Sequence, residues 1–128
     1  MESGELQKDN ILVEKSFKFA IRIVDLYKYL SQNKKEFILS KQVLRSGTSI
    51  GANISESQDA QSKADFISKL SIALKEAKET KYWIELLRET DFLNTTEASN
   101  ILEDVIEIIK LLISIIKTTK QNKDRNEK

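Results

Sequence analysis

Three glutamates are the residues whose type and spacing come nearest to a catalytic site. Glu76 and Glu79 are three residues apart in a helical pattern, and Glu56 belongs to the segment before them. Clustered carboxylates can hold Mg²⁺, which can activate water for the hydrolysis of a nucleotide. Carboxylates at helical spacing more often face water or pair with nearby lysine and arginine side chains. We favour this second interpretation and keep an Mg²⁺-dependent nucleotide hydrolase as the alternative.

Other catalytic groups are scarce in this chain. Its 128 residues include no histidine and no cysteine, which excludes a Ser-His-Asp triad, a thiolate metal site and a disulfide. The segment from Gly47 to Gly51 lacks the Gly-Lys-Ser/Thr end of a phosphate-binding loop. We therefore predict that the chain is not an enzyme and has no catalytic residue, cofactor or metal ligand.

Basic residues concentrate in the first part of the chain, although the net charge is only +1. Residues 15–45 contain eight basic and two acidic side chains, whereas residues 85–107 contain one basic and seven acidic ones. The two regions either neutralise each other inside one bundle, or the basic region meets a neighbouring copy or RNA phosphates. If RNA binds, we predict that its phosphates are contacted, without sequence readout, by Lys15, Lys18, Arg22, Lys41 and Arg45.

A polar set around the second and third segments is the candidate for a network at a subunit interface. Arg45 and Glu56 are eleven residues apart, so they share a helix face but lie about 16 Å apart along the axis. They must find partners on other helices or other copies. The predicted network contains Arg45, Asn53, Glu56, Glu76 and Glu79. Ordinary hydrogen bonding between helices of one chain is the simpler explanation.

Two adjacent aromatic residues belong to the same region. Tyr82 and Trp83 point about 100° apart on a helix, so both cannot enter one core. We predict that one of them faces an interface, where aromatic residues are enriched. Base stacking is the less favoured alternative.

Four segments with helical periodicity must position these side chains. They run over residues 10–31, 35–57, 63–89 and 95–119, and the chain has no proline and only three glycines. Short polar turns join them, which predicts an all-α, antiparallel, up-down-up-down four-helix bundle. We predict one domain over residues 10–119, with frayed termini at residues 1–9 and 120–128.

The fourth segment carries more apolar residues than one bundle core needs. Between Ile108 and Ile116 only Lys110 and Ser114 are not isoleucine or leucine. An apolar surface that exceeds one stripe favours burial against a second copy. We therefore predict self-association, with Leu111 as an exposed contact on the fourth helix.

Segments that would direct the chain to a membrane are not apparent. Residues 1–10 are polar, and the apolar stretch from Ile101 to Ile116 contains four charged residues. It is also too short to span a bilayer. We predict a cytoplasmic protein without a membrane partner.

Two long stretches and an aromatic pair carry a resemblance to a known family. They read RSGTSIGANISE at 45–56 and SKADFISKLSIALKEAKET at 62–80, followed by Tyr82-Trp83. The chain resembles the four-helix-bundle proteins encoded in bacterial 23S rRNA intervening sequences, over about residues 17–116. The resemblance implies an antiparallel bundle that assembles as a ring, typically a homopentamer, and a link to rRNA. A related branch, the accessory variability proteins of diversity-generating retroelements, comprises basic pentamers that bind nucleic acid and a reverse transcriptase. The near-neutral charge departs from that branch.

Our leading hypothesis is a homo-oligomeric scaffold or adaptor without catalytic activity. Its expected partners are further copies of itself and, beyond these, RNA or a nucleic-acid-binding protein. The alternatives are the nucleotide hydrolase and a module that binds only other proteins.

Overall fold

Four helices, joined by three short connections, make up the described part of the chain. The computed structural model describes the backbone of residues 2–126 and the side chains within residues 7–122. The helices are α1 (Glu2–Gln32), α2 (Leu39–Ser57), α3 (Lys63–Glu89) and α4 (Thr95–Asn126). Residues 2–126 contain no strand, which confirms the all-α prediction. Met1 and residues 127–128 of the predicted frayed ends lie outside the described residues.

The helices follow one another around a four-helix bundle. Each packs against two neighbours, in the order α1–α2–α3–α4 and back to α1. The α1–α4 pair is antiparallel, because Lys8 lies level with Ser114 and Lys15 with Glu107. The prediction of an antiparallel up-down-up-down bundle is thus confirmed. Helices α1 and α2 form one layer of the bundle, and α3 and α4 form the other.

Several helix limits differ from those predicted. Helix α1 already begins at Glu2, and α4 continues to Asn126. Helix α2 begins at Leu39 instead of Lys35 because Lys35 has a left-handed backbone, with φ of 54°. The carboxylate of Glu36 then accepts hydrogen bonds from the backbone N–H groups of Ile38, Leu39 and Ser40, at 3.3, 3.1 and 2.7 Å. It accepts hydrogen bonds from backbone N–H groups that have no partner within the first turn of the helix.

The pKa of Glu36 reflects this cap. Partial burial alone would raise it, but the hydrogen bonds from Ser40, Leu39 and Ile38 together outweigh burial and lower it below the ordinary glutamate value. The ionised carboxylate is therefore the form that the folded chain favours.

Apolar residues on one side of each helix fill the core. On α1 the buried stripe is Leu12, Phe19, Ile23, Leu26 and Leu30. On α4 the seven large buried side chains are Ile101, Leu102, Val105, Ile108, Leu112, Ile115 and Ile116. Burial of one such side chain contributes roughly 1.5–3 kcal/mol to folding, so these stripes fix the rotation of each helix about its axis.

Two glycines let α1 approach α2 closely. A Cβ atom on Gly47 would lie 2.7 Å from the Ile23 side chain, and one on Gly51 would lie 3.2 Å from the backbone oxygen of Ser16. A glycine inside a helix costs about 1 kcal/mol relative to alanine. This cost is offset by the close packing of α1 against α2, which a side chain at either position would obstruct.

None of the helices in the described part of the chain is apolar over a length that could cross a bilayer.

Candidate functional site

An ion-pair cluster joins α2 to α3. The guanidinium of Arg45 donates to Glu79 and, at 3.2 Å, to Glu76. The indole N–H of Trp83 donates to the same Glu79 carboxylate at 3.0 Å. These four residues are called the Arg45 cluster. Arg45 and Glu79 come from different helices, and the one-turn spacing of Glu76, Glu79 and Trp83 places them along one edge of α3.

A buried hydroxyl pair lies beneath the Arg45 cluster. The hydroxyls of Ser46 and Thr80 are 2.8 Å apart, and the Thr80 hydroxyl also lies 2.7 Å from the carbonyl oxygen of Glu76. Both side chains are fully buried. The sequence analysis singled out neither Ser46 nor Thr80. The detectable signal was a pair of small polar residues on the apolar edges of two consecutive helices.

The rest of the predicted polar network lies elsewhere. The Asn53 amide donates to the carbonyl oxygen and the hydroxyl of Ser49, on its own helix. Glu56 is exposed and lies 4.0 Å from Lys69, at the other end of the α2–α3 contact. Asn53 and Glu56 therefore do not join the Arg45 cluster.

The separation of Glu56 bears on the hydrolase hypothesis. Glu76 and Glu79 both point at Arg45, about three turns of helix from the level of Glu56. Within the described residues, no three acidic side chains are grouped so that they could hold a metal ion. The structure does not assemble the three carboxylates that this hypothesis needs.

Most of the cations predicted to contact RNA are paired within the chain. Lys15 lies 2.7 Å from Glu107 of α4, and Arg22 lies 2.7 Å from Asp104. The hydrogen bond between Lys15 and Glu107 raises the pKa of Lys15 and lowers the pKa of Glu107. Two cations of α1 are thus neutralised by carboxylates of α4 in the same bundle, as expected if the basic and acidic regions pair within one chain.

The five predicted cations do not form one surface. Lys15 and Arg22 face α4, and Lys18 pairs with Glu14 on its own helix at 2.7 Å. Arg45 faces α3, whereas Lys41 is exposed on α2.

A second apolar stripe of α1 lies largely on its outer side, although Val13 also packs against the core. Its members are Val13, Phe17, Ala20, Ile21 and Val24, and we call this stripe the outer α1 face. Phe17 is 67% exposed and Ile21 is 51% exposed. A groove of about 350 Å³ runs beside Phe17 and is floored by Gly51 and other small residues of α2.

Helix α4 exposes less apolar surface than predicted. Leu111 is half-buried and packs against the core, because it lies on the flank of α4 that α1 covers. The prediction that Leu111 is exposed is therefore wrong. Ile113, 47% exposed, is the large apolar residue that α4 presents to solvent.

The aromatic pair divides as its spacing predicts. Tyr82 is 58% exposed, whereas Trp83 is half-buried against the core. Their rings meet edge to face, with centroids 5.1 Å apart.

Comparison with known proteins identifies the family. The sequence profile of the 23S rRNA-intervening sequence proteins matches residues 8–114. The chain belongs to the 23S rRNA-intervening sequence protein family. Its predicted resemblance to these proteins is thus confirmed.

A similar protein of known structure supports this assignment. It is a protein of unknown function from the S23 ribosomal protein family of Bacteroides thetaiotaomicron, with 61% sequence identity and a TM-score of 0.85. The match covers 86% of this chain and 98% of the other. No curated protein matches the chain. In this 23S rRNA-intervening sequence protein, the two signature stretches form the α2–α3 contact and the Arg45 cluster.

Proposed function

We propose that this 23S rRNA-intervening sequence protein is a self-associating scaffold and that copies meet through the outer α1 face. The observation that carries the proposal is the exposure of Phe17 and Ile21 on a helix whose other apolar stripe is fully buried. Large exposed hydrophobic side chains that share one face are typical of interaction surfaces. The groove of small α2 residues beside Phe17 offers a concave neighbour for an incoming side chain.

A homopentameric ring is the assembly we propose, as the family resemblance implies. A closed ring with five copies uses two different surfaces of each copy. The outer α1 face would then meet another part of the adjacent copy. The residues of the Arg45 cluster and the Lys15–Glu107 pair would act within each bundle, as contacts that hold its helices in register.

Solution mass of Phe17→Asp tests the scaffold proposal. A charge at this exposed position should leave the bundle folded, because the side chain makes little contact with the core. We expect circular dichroism to be unchanged and light scattering at tens of micromolar to report single chains. Ile21→Asp, on the same face, should act in the same direction.

Ile113→Asp is the matched control. It introduces the same charge at a similarly exposed isoleucine on α4, outside the outer α1 face. We expect its mass to equal that of the unaltered protein. An unchanged mass for both Phe17→Asp and Ile21→Asp would contradict the proposal, and a loss of mass for Ile113→Asp alone would move the interface to α4.

We also propose that the protein is not an enzyme. The pairing of Glu76 and Glu79 with Arg45, away from Glu56, supports this. A nucleotide panel with Mg²⁺ or Mn²⁺ should show no turnover. Turnover that is lost in folded Glu79→Gln would overturn this part of the proposal.

RNA, or a protein bound to RNA, remains the partner that we propose for the scaffold, with the cytoplasm as its compartment. The family name connects these proteins with 23S rRNA genes. The paired α1 cations are not well placed to bind phosphates, since they would first have to leave their carboxylate partners. Recovery of RNA with the protein from cells, lost on nuclease treatment, is the expected result; recovery of proteins alone would favour a module that binds only proteins.

A further inference from the structure

Helices α3 and α4 each turn acidic side chains toward a neighbouring helix of the other layer. On α3, Glu76 and Glu79 point at Arg45 of α2. On α4, Asp104 and Glu107 pair with cations of α1. Four acidic side chains of α3 and α4 are thus neutralised at the edges of the layer.

The shared outer side of α3 and α4 carries lysines instead. They are Lys75, Lys78, Lys110, Lys117 and Lys120, and we call this set the lysine face. All five are exposed, and none forms an ion pair within the described residues. The spacing is helical on both helices, so the side chains line up along two adjacent axes. On α4 alone they span about 15 Å.

The limits of the lysine face are set by nearby acidic residues. Lys81 is not a member because it lies 3.6 Å from Glu85. Glu103 is exposed on the same side of α4 and ends the row, while Glu107 lies three residues before Lys110. The least neutralised part is therefore the end that contains Lys75, Lys78, Lys117 and Lys120.

An aromatic side chain continues the row on α3. Tyr82 lies four residues after Lys78, with its ring packed against the edge of Trp83. Leu74 of α3 lines one groove with Ile113 and Lys117 of α4, which shows that these residues lie at the same level of the two antiparallel helices. In this register Tyr82 comes near the level of Lys110. The surface thus combines free cations with one exposed ring.

We propose that the lysine face binds single-stranded RNA, with the lysines on phosphates and Tyr82 stacked on a base. Free cations along a groove, together with an aromatic platform, are what sequence-tolerant binding of single strands requires. An anionic membrane fits less well, because the most exposed hydrophobic residues, Phe17 and Ile38, lie outside this face. The inference rests on the RNA part of the proposed function but not on self-association, which uses the outer α1 face.

Fluorescence anisotropy with a labelled 12-nucleotide oligouridylate at 50 mM salt tests the proposal. We expect the triple variant Lys75→Glu, Lys78→Glu, Lys117→Glu to bind at least tenfold more weakly. The slope of log affinity against log salt should fall by about two, since each lost phosphate contact on a single strand contributes about 0.7. Tyr82→Ala should weaken binding about fivefold or more, with little change in that slope.

The matched control carries the same change in charge on the other layer. Its substitutions are Lys28→Glu, Lys34→Glu and Lys35→Glu, at three exposed lysines of α1 and of the turn that joins it to α2. We expect it to retain most of the affinity, and the solution masses of both triple variants should match that of the unaltered protein. Equal losses in the two triple variants would overturn the proposal. So would binding of the unaltered protein to phosphatidylserine vesicles but not to the oligouridylate.

Discussion

The outer sides of the two helix layers differ in what they leave exposed. The α1–α2 layer presents apolar residues, and the cations of α1 that border α4 are paired with carboxylates. The α3–α4 layer presents unpaired lysines together with two exposed isoleucines, Ile72 and Ile113. Both layers have similar cores, so the difference arises from which side chains the bundle uses to join its helices.

This difference separates two roles that the net charge conceals. A chain with a charge of +1 offers little general attraction to RNA. Internal pairing nevertheless engages four acidic residues of α3 and α4 and leaves the lysines on the outer side of these helices without acidic partners. We infer that the apolar layer serves assembly and the basic layer serves the partner.

The largest expected effect links the two layers. Phe17→Asp should leave binding of the 12-nucleotide RNA nearly unchanged, because each single chain keeps its lysine face. With a long RNA that can reach several copies, affinity should fall tenfold or more, since linked sites raise apparent affinity by about 10²–10⁴. Anisotropy with both RNA lengths measures this. Equal losses for the short and the long RNA would show that the layers are not independent.

Gly47→Ala should weaken the layer that carries the outer α1 face. Its new Cβ would lie 2.7 Å from the buried Ile23 side chain, and overpacking of this kind costs about 1–3 kcal/mol. Urea unfolding measures the loss. In the background of Ile23→Ala, which removes the obstructing atoms, the same glycine substitution should cost nothing. Equal costs in both backgrounds would mean that this contact does not limit the approach of α1 to α2.

Glu36→Gln should remove a charged cap from the same layer, at a cost of about 1 kcal/mol at pH 7. Because folding lowers the pKa of Glu36, its stabilisation is present above the ordinary glutamate value and is lost as pH falls through the folded value. The difference in unfolding free energy between the variant and the unaltered protein should therefore shrink from pH 5 to pH 3. A difference independent of pH would argue against the ionised cap.

The smallest effect is expected where the two layers meet at the surface. Arg22 and Asp104 are both partly exposed to solvent, and ion pairs at the surface contribute about 0.2–1 kcal/mol. A double-mutant cycle with Arg22→Ala and Asp104→Ala should give a coupling in this range at low salt, declining in 0.5 M salt. A coupling free energy above about 2 kcal/mol would contradict this prediction and would show that the pair contributes strongly to the contact between α1 and α4.

Periodicity predicted the fold because it reports directly on burial. The apolar residues of all four segments recur at helical spacing. The predicted beginning of α4 at residue 95 agrees with the structure, in which the Asn94 side chain accepts from the Glu97 N–H at 2.8 Å. The beginning of α2 was missed because the carboxylate of Glu36, three residues before the first residue of the helix, supplies the cap. Such a cap leaves no conventional signature in the sequence.

The sequence did not predict equally well which apolar and charged side chains remain exposed on the surface. Phe17 and Leu111 are apolar residues that do not belong to the buried stripe of their own helix. Only the packing of the helices decides that Leu111 is partly covered and that Phe17 is exposed. The same holds for charge, because Lys15 and Lys117 look alike in the sequence. A neighbouring helix pairs the first and leaves the second free.

Assembly through the outer α1 face is most directly tested by the mass of the unaltered protein in solution. We expect light scattering at tens of micromolar to give close to five times the 14.7 kDa of one chain. A mass of one chain across that concentration range would contradict self-association and leave the outer α1 face without the partner we assign to it.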